Sequence, residues 1–165
     1  MELLLIRYEL IFFFLGGLIV GSFLNTVIYR LPLIMGYEEK DISFIKFNLA
    51  YPASHCPNCE STLPFYLNIP LLSFIWLKGR CSFCKDKIST QYPLIELVTG
   101  ILFSWIALNS LDLLQSSILC IFFSALLVLS VIDSKFQLVP SPISLSLIVI
   151  APPLPLVLLF LIIVI

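Results

Sequence analysis

The stretch LIFFFLGGLIVGSFLNTVIY, residues 10–29, contains no charged side chain and is bounded by Glu9 and Arg30. An α-helix needs about 20 apolar residues to cross about 30 Å of hydrocarbon, so this stretch predicts a transmembrane helix. Three further apolar stretches, the last broken by three prolines, cover residues 94–108, 113–132 and 143–165. We therefore expect an all-α integral membrane protein with about four transmembrane helices.

The composition of the 165 residues supports this class. Hydrophobic residues make up 60% of the chain, charged residues 12%, and the mean hydropathy is +1.10. Long apolar runs exclude intrinsic disorder and a transmembrane barrel, whose strands alternate apolar and polar residues. The formal charge of −1 leaves no excess of basic side chains to neutralise a phosphate backbone, so nucleic acid is not an expected partner.

The distribution of basic residues predicts how the chain crosses the membrane. Seven of the nine lysines and arginines lie between the first and second spans, and the positive-inside rule places that segment in the cytoplasm. The N-terminus is then outside, and the absence of an A-x-A cleavage site indicates a retained anchor rather than a signal peptide. Alternation of the spans returns the chain to the cytoplasmic face at Asp133.

The same reasoning divides the chain into three parts. We expect a transmembrane anchor at residues 1–30 and a cytoplasmic insert with four cysteines at residues 31–92. Further transmembrane helices follow at residues 93–165.

Small residues form a stripe along the first span. Gly17 and Gly21 are four positions apart, and Asn25 continues the same helix face after four more. Such spacing lets a second helix approach closely, and an asparagine at that interface can hydrogen-bond across it. We expect this stripe to pack against another helix rather than to contact a substrate.

Four of the five cysteines form two C-x-x-C pairs in the insert. Cys56 and Cys59 are separated from Cys81 and Cys84 by 21 residues, slightly more than is usual for a four-thiolate zinc site. Each pair presents two sulfurs to one side, and two pairs complete a tetrahedron. The pattern predicts one structural zinc ion held by all four thiolates.

Two disulfides and a redox-active dithiol are the alternatives to zinc. Disulfides are rare in the reducing cytoplasm, and a thioredoxin-like dithiol requires one C-x-x-C in a βαβ context, which the insert lacks. His55 precedes the first pair and is expected to be a solvated loop residue. Cys120 is expected to be an inert residue of the third span.

A series of short motifs follows in order along residues 16–140. They read GSFLN (21–25), YRLP (29–32), CPNC (56–59), NIPLLS (68–73), KGRCSFC (78–84), STQYPLIEL (89–97), VID (131–133) and QLVP (137–140). Their order and spacing resemble the N-terminal half of the type IV prepilin peptidase family. These are bifunctional leader peptidases and N-methyltransferases of the bacterial inner membrane.

The resemblance implies a function that composition and spacing do not reveal. Family members cut the leader from prepilins or type II secretion pseudopilins, and they methylate the new N-terminal amine with S-adenosylmethionine. Leader peptides and membrane lipid are the implied partners, and the multi-pass inner membrane is the implied location. Cleavage uses two aspartates, and Asp133 occupies the position of the first.

The family's second aspartate has no counterpart in this sequence. It lies in a Gly-x-Gly-Asp motif, which the 165 residues do not contain, and Pro140 is followed by serine where the family has aspartate. We expect a truncated, split or frameshifted version that needs a C-terminal fragment or a homo-oligomer. Glu96 is the best local substitute, but we favour a helix-start carboxylate stabilised by the helix dipole or by an interfacial lysine or arginine.

Three functions therefore remain open from the sequence. The first is a prepilin peptidase and N-methyltransferase with an incomplete peptidase half. The second is a noncatalytic zinc-bearing membrane protein that binds pilin leaders or a partner subunit. The third is a membrane thiol oxidoreductase.

Overall fold

The computed structural model describes residues 2–36, 48–49, 53–56, 58–109 and 112–136. The elements are α1 (Glu2–Ile34), a 3₁₀ helix (Phe65–Asn68), α2 (Leu72–Trp76), α3 (Gln91–Asn109) and α4 (Leu113–Phe136). No β-strand occurs among these residues, which contain two isolated bridges. The all-α prediction is confirmed.

Three helices in the described part of the chain are long and apolar enough to cross a membrane. They are Tyr8–Ile34 within α1, Gln91–Asn109 and Leu113–Phe136. The protein is therefore a membrane protein, and the first three predicted spans are confirmed. The fourth, residues 143–165, lies outside the described residues.

Helix α1 extends beyond the predicted first span, and backbone carbonyl oxygens of the insert accept hydrogen bonds from Arg30 near its C-terminal end. Arg30 is only 4% exposed, and its Nη1 donates to the carbonyl oxygens of Asn48 at 3.0 Å and Leu49 at 3.2 Å. A buried guanidinium needs such acceptors, and they let the helix continue to Ile34 with Pro32 inside its last turn. Arg30 thereby fastens the insert to α1.

The chain divides into two compact units, Met1–Leu108 and Asn109–Ile165. The first unit contains α1, the insert and α3, and the second contains α4. The cysteine pairs, the glycine stripe and Glu96 belong to the first unit. Asp133 belongs to the second.

The glycine stripe of α1 packs against α3. A Cβ atom on Gly17 would lie 2.7 Å from the Gly100 Cα atom, and one on Gly21 would lie 2.7 Å from the Glu96 Cα atom. Asn25 Nδ2 donates across the same interface to the Tyr92 carbonyl oxygen at 3.0 Å. The prediction of close helix packing with an asparagine hydrogen bond is confirmed.

Serine hydroxyls of helix α4 form hydrogen bonds with backbone carbonyl oxygens one turn earlier. The hydroxyls of Ser116, Ser117 and Ser124 donate to carbonyl oxygens four residues earlier, at 3.0, 2.8 and 2.7 Å. Such bonds satisfy polar groups without water, as a membrane interior requires. Asp133 lies exposed in the last turn of this helix.

Candidate metal centre and adjoining cavity

The two C-x-x-C pairs fold into the same local structure. We call them the first knuckle, closed by an antiparallel bridge between His55 and Thr62, and the second knuckle, closed by one between Arg80 and Lys87. In each knuckle the bridge joins the residue before the first cysteine to the residue three after the second. The insert therefore repeats one turn design at its two cysteine pairs.

Backbone hydrogen bonds explain why the knuckles are alike. The N–H of Glu60 donates to the Cys56 carbonyl at 2.9 Å, and the N–H of Lys85 donates to the Cys81 carbonyl at 3.1 Å. Glu60 and Lys85 both have positive φ, 55° and 63°, which reverses the chain directly after the second cysteine. Each turn is thus closed by backbone, leaving the sulfurs free to face a ligand.

The four sulfurs converge on one point. The Sγ atoms of Cys56, Cys59, Cys81 and Cys84 all lie within 4.8 Å of one another, and those of Cys56 and Cys84 are 3.8 Å apart. Zinc–sulfur bonds of about 2.3 Å in a tetrahedron place neighbouring sulfurs about 3.8 Å apart. The donor set and its spacing fit a zinc ion, and all four cysteines are free of disulfides.

Hydrogen bonds within the knuckles tune the acidity of the metal-free thiols. Donation from Ser61, through its hydroxyl and its backbone N–H, lowers the pKa of Cys59 from 9.0 to about 6. The backbone N–H groups of Cys84 and of the residue before it lower the pKa of Cys81. The knuckle backbone therefore favours the thiolate form, which is the form that binds zinc.

Cys84 differs from the other thiols. The backbone N–H of Asp86 lowers its pKa, but desolvation and hydrogen bonds with the other three thiols outweigh that bond and raise the pKa to about 11. A cluster of thiols cannot ionise completely without a cation among them. This chemistry again suits a divalent metal ion.

Of the two residues set apart in the sequence, Cys120 is a buried helix residue as expected, whereas His55 is half-buried in the bridge to Thr62 instead of being fully solvated. His55 has its Nδ1 atom 3.0 Å from the Ala53 carbonyl oxygen in an exposed contact. Cys120 is buried in α4, in the other unit. Neither belongs to the sulfur cluster.

The position and the partners of Glu96 differ from those that we favoured from the sequence. It lies in the second turn of α3, not at the helix start, and only 7% of it is exposed. Its Oε2 atom accepts from the Leu71 backbone N–H at 2.8 Å, and the Ser22 hydroxyl donates to the same carboxylate. Burial beneath the insert explains the difference, because the carboxylate there meets a backbone amide instead of a lysine or arginine.

Leu71 adopts a strained turn that sequence reasoning missed. Its φ and ψ are 57° and −46°, and the Leu72 N–H donates to the Pro70 carbonyl oxygen at 2.6 Å. This is a γ-turn with positive φ, a rare conformation for a residue with a side chain. The bond to Glu96 holds the turn in place, so Glu96 links the NIPLLS stretch to α3.

A cavity of about 360 Å³ lies between α1, α3 and the insert. This volume falls in the range of about 300–1,000 Å³ that is typical of small-molecule sites. Its wall includes Asn25, Tyr92 and Glu96 from the two helices, together with Cys56 and Cys81 from the knuckles. The cavity therefore adjoins the metal centre and the helix interface.

Asp133 occupies the end of its helix, as the sequence predicted. It is exposed, three residues before the last residue of α4, with Lys135 in the same turn. The QLVP motif at residues 137–140 lies outside the described residues. The cysteine cluster is thus assembled within the first unit, and the predicted catalytic aspartate lies in the second.

Comparison with known proteins places this arrangement in a family. Residues 15–110 match the sequence model of the bacterial peptidase A24 N-terminal domain. The chain is 45% identical to the prepilin leader peptidase/N-methyltransferase of Klebsiella pneumoniae over 139 residues, 82% of this chain and 57% of the relative. It is 39% identical to the protein of that name from Dichelobacter nodosus over 160 residues, 87% of this chain and 56% of the relative.

A third relative has a different but related name. The type 4 prepilin-like proteins leader peptide-processing enzyme of Escherichia coli O78:H11 is 42% identical over 131 residues, 76% of this chain and 49% of the relative. The chain spans about half the length of the curated relatives it matches. No solved structure matches it. The matched residues include both knuckles, the glycine stripe and Glu96, and the chain belongs to the prepilin leader peptidase/N-methyltransferase family.

Proposed function

We propose that this chain provides the zinc-bearing part and the first catalytic aspartate of a prepilin leader peptidase and N-methyltransferase. The convergence of four thiolates in a stretch that matches the family carries the proposal. The zinc ion would be held by Cys56, Cys59, Cys81 and Cys84 and would replace a hydrophobic core in the insert. We retain the division into an anchor at residues 1–30, an insert at 31–92 and peptidase-associated spans at 93–165.

The peptidase half of the proposal rests on Asp133. In an aspartic protease one ionised carboxylate activates water, while the protonated partner donates to the scissile carbonyl oxygen. Asp133 supplies one carboxylate at the end of a transmembrane helix, where a leader emerging from the bilayer would meet it. A Gly-x-Gly-Asp segment, which residues 1–165 do not contain, would supply the second carboxylate, and a homo-oligomer is the alternative source.

The methyltransferase half rests on the first unit. S-adenosylmethionine supplies an electrophilic methyl group to the new N-terminal amine. The cavity beside the metal centre has the size of a small-molecule site, and its polar wall offers oxygen atoms of Asn25 and Glu96. Substrates are leader-bearing prepilins or pseudopilins, and the site of action is the cytoplasmic face of the bacterial inner membrane.

The other two functions are less well supported. A noncatalytic leader-binding protein does not account for relatives named as processing enzymes at 39% to 45% identity. A thiol oxidoreductase requires a dithiol that cycles, whereas here four sulfurs share one cluster.

An assay on purified protein tests the proposal. The chain is incubated with S-adenosylmethionine and a peptide that begins at a mature pilin N-terminus, with the N-acetylated peptide as control. Mass spectrometry should show one methyl group on the free amine and none on the acetylated peptide. Failure to methylate the free amine, by zinc-loaded protein and with a Gly-x-Gly-Asp fragment supplied, would contradict the methyltransferase assignment.

A further inference from the structure

Asn25 has a buried oxygen atom without a donor. The side chain is 3% exposed, and its Nδ2 atom donates to the carbonyl oxygens of Gly21 at 3.3 Å and Tyr92 at 3.0 Å. Those two acceptors fix the orientation of the amide, because a flipped oxygen would face two carbonyl oxygens. The Oδ1 atom then has no hydrogen-bond partner among the described residues. Buried acceptors of this kind call for a ligand or water that donates.

Glu96 has a buried carboxylate with unused acceptor capacity. It is 7% exposed and accepts from the Leu71 N–H and the Ser22 hydroxyl. A carboxylate has about four acceptor sites, so two donors leave room for more. Within the described ranges no lysine or arginine pairs with it. A buried carboxylate without a cation is a place where a cationic ligand would be stabilised.

Asn25 and Glu96 line the same cavity, and aromatic residues form part of its wall. Tyr29, Phe74 and Tyr92 line it. The faces of aromatic rings attract cations. Lys87 also lines the cavity together with Asp86, and their charges oppose one another.

Arg30 is the remaining charged residue of the wall. Its Nη1 atom is already engaged by the carbonyl oxygens of Asn48 and Leu49. The wall therefore carries two cationic side chains, Arg30 and Lys87, and two carboxylates, of which Glu96 is buried and Asp86 is exposed.

We propose that this cavity binds a primary ammonium group, with the Glu96 carboxylate as counter-ion and the Asn25 Oδ1 atom as a second acceptor. A primary ammonium carries three N–H donors and one positive charge, which match both features. Resting on the proposed function, the group has two sources: the N-terminal amine of a processed pilin, or the amino-acid end of S-adenosylmethionine. Both sources present the same chemistry to these oxygens.

Two pairs of probes test the proposal on the full chain in lipid nanodiscs. S-adenosylhomocysteine carries the ammonium group, and 5′-methylthioadenosine lacks the amino-acid end. A peptide with a free pilin-type N-terminus is compared with its N-acetylated form. Calorimetry should show at least tenfold tighter binding of the amine-bearing member in one pair, and that pair identifies the source.

Matched variants assign the binding to the cavity. Glu96→Gln keeps the shape of the side chain and removes its charge, and it should weaken the amine-bearing probe at least tenfold. Thr99→Val is the control, because Thr99 is fully buried in the same helix, bonds to the Ile95 carbonyl oxygen and does not line the cavity. Zinc content reports whether each variant is folded.

If the wild-type chain binds the two members of each pair equally, or binds none of the probes, the proposal is overturned without any variant. Unchanged binding by zinc-loaded Glu96→Gln overturns it as well. Methylation of the pilin amine without discrimination in either pair would refute the ammonium site and leave the proposed function standing. Amine-selective binding without methylation would support the ammonium site and contradict the proposed methyltransferase function.

Discussion

The sulfurs of Cys59, Cys81 and Cys84 in the candidate metal centre differ in their hydrogen bonds, and this makes single-residue changes informative. Cys59 lies in the first knuckle beside Ser61, whose hydrogen bonds favour its thiolate. Cys120 is a buried cysteine of α4 outside the cluster. The two residues therefore form a matched pair for testing the metal site.

Cys59→Ser should remove one ligand of the zinc ion. Loss of a residue that only hydrogen-bonds to a ligand weakens metal binding about 10- to 100-fold, and loss of a ligand itself should weaken it more. Elemental analysis of protein purified without added metal should show about one zinc per wild-type chain and far less in the variant. Cys120→Ser should retain the wild-type content. Equal zinc content in all three proteins would refute the four-thiolate site.

The affinity for zinc should fall as the pH falls. Cys84 has a pKa of about 11 in the metal-free protein, so at pH 7 to 8 its proton must leave when zinc binds. Each proton released lowers the association constant about tenfold per pH unit of acidification, whereas Cys59, with a pKa of about 6, is already ionised there. Competition with a chromophoric chelator at pH 8 and pH 7 measures the change. A constant affinity would show that no thiol proton is released.

Helices α1 and α3 approach each other closely in the first unit. Gly17 faces the Gly100 backbone so closely that an added Cβ would lie 2.7 Å from its Cα atom, whereas one on Gly16 would meet nothing within 4 Å. The neighbouring glycines are therefore matched for helix propensity and differ in packing.

Gly17→Ala should destabilise the first unit by about 1–3 kcal/mol relative to Gly16→Ala, because the backbones must separate to admit the methyl group. Reversible unfolding in mixed micelles, followed by circular dichroism, measures the difference. Equal stability of the two variants would mean that the helices do not meet along the stripe.

The orientation of the spans is a prediction that labelling can decide. Ser89, in the insert, and Asp112, before α4, are both exposed. If the insert is cytoplasmic, an impermeant maleimide should label Asp112→Cys in intact cells and label Ser89→Cys only after permeabilisation. The reverse pattern would overturn the topology and place Asp133 on the outer face.

Across the whole molecule, the sequence predicted what periodicity and spacing encode. Hydropathy located three helices, glycine spacing identified the packed face of α1, and the C-x-x-C pairs identified the sulfur cluster. The contact between Glu96 and the Leu71 N–H was not predictable, because a backbone donor has no residue type and the positive φ of Leu71 is not marked by glycine. The Arg30 contacts with the insert escaped prediction for the same reason.

At the scale of the whole molecule, the two units also hold different candidate sites. The first unit holds the four-cysteine cluster and the cavity, and the second holds Asp133. The 165 residues contain no Gly-x-Gly-Asp motif to pair with Asp133. A single carboxylate cannot both activate water and protonate the scissile carbonyl. Residues 1–165 alone should therefore cleave a leader several orders of magnitude more slowly than an enzyme with both aspartates.

Leader cleavage in cells without other prepilin peptidases tests the central claim most directly. A prepilin is expressed with this chain alone, or with the chain and a separate fragment carrying Gly-x-Gly-Asp, and its mass is measured. We predict no cleavage by the chain alone, cleavage with the fragment, and loss of cleavage on Asp133→Ala but not on Asp112→Ala. Cleavage by the chain alone, or cleavage that survives Asp133→Ala, would contradict the assignment of Asp133 as one half of a catalytic pair.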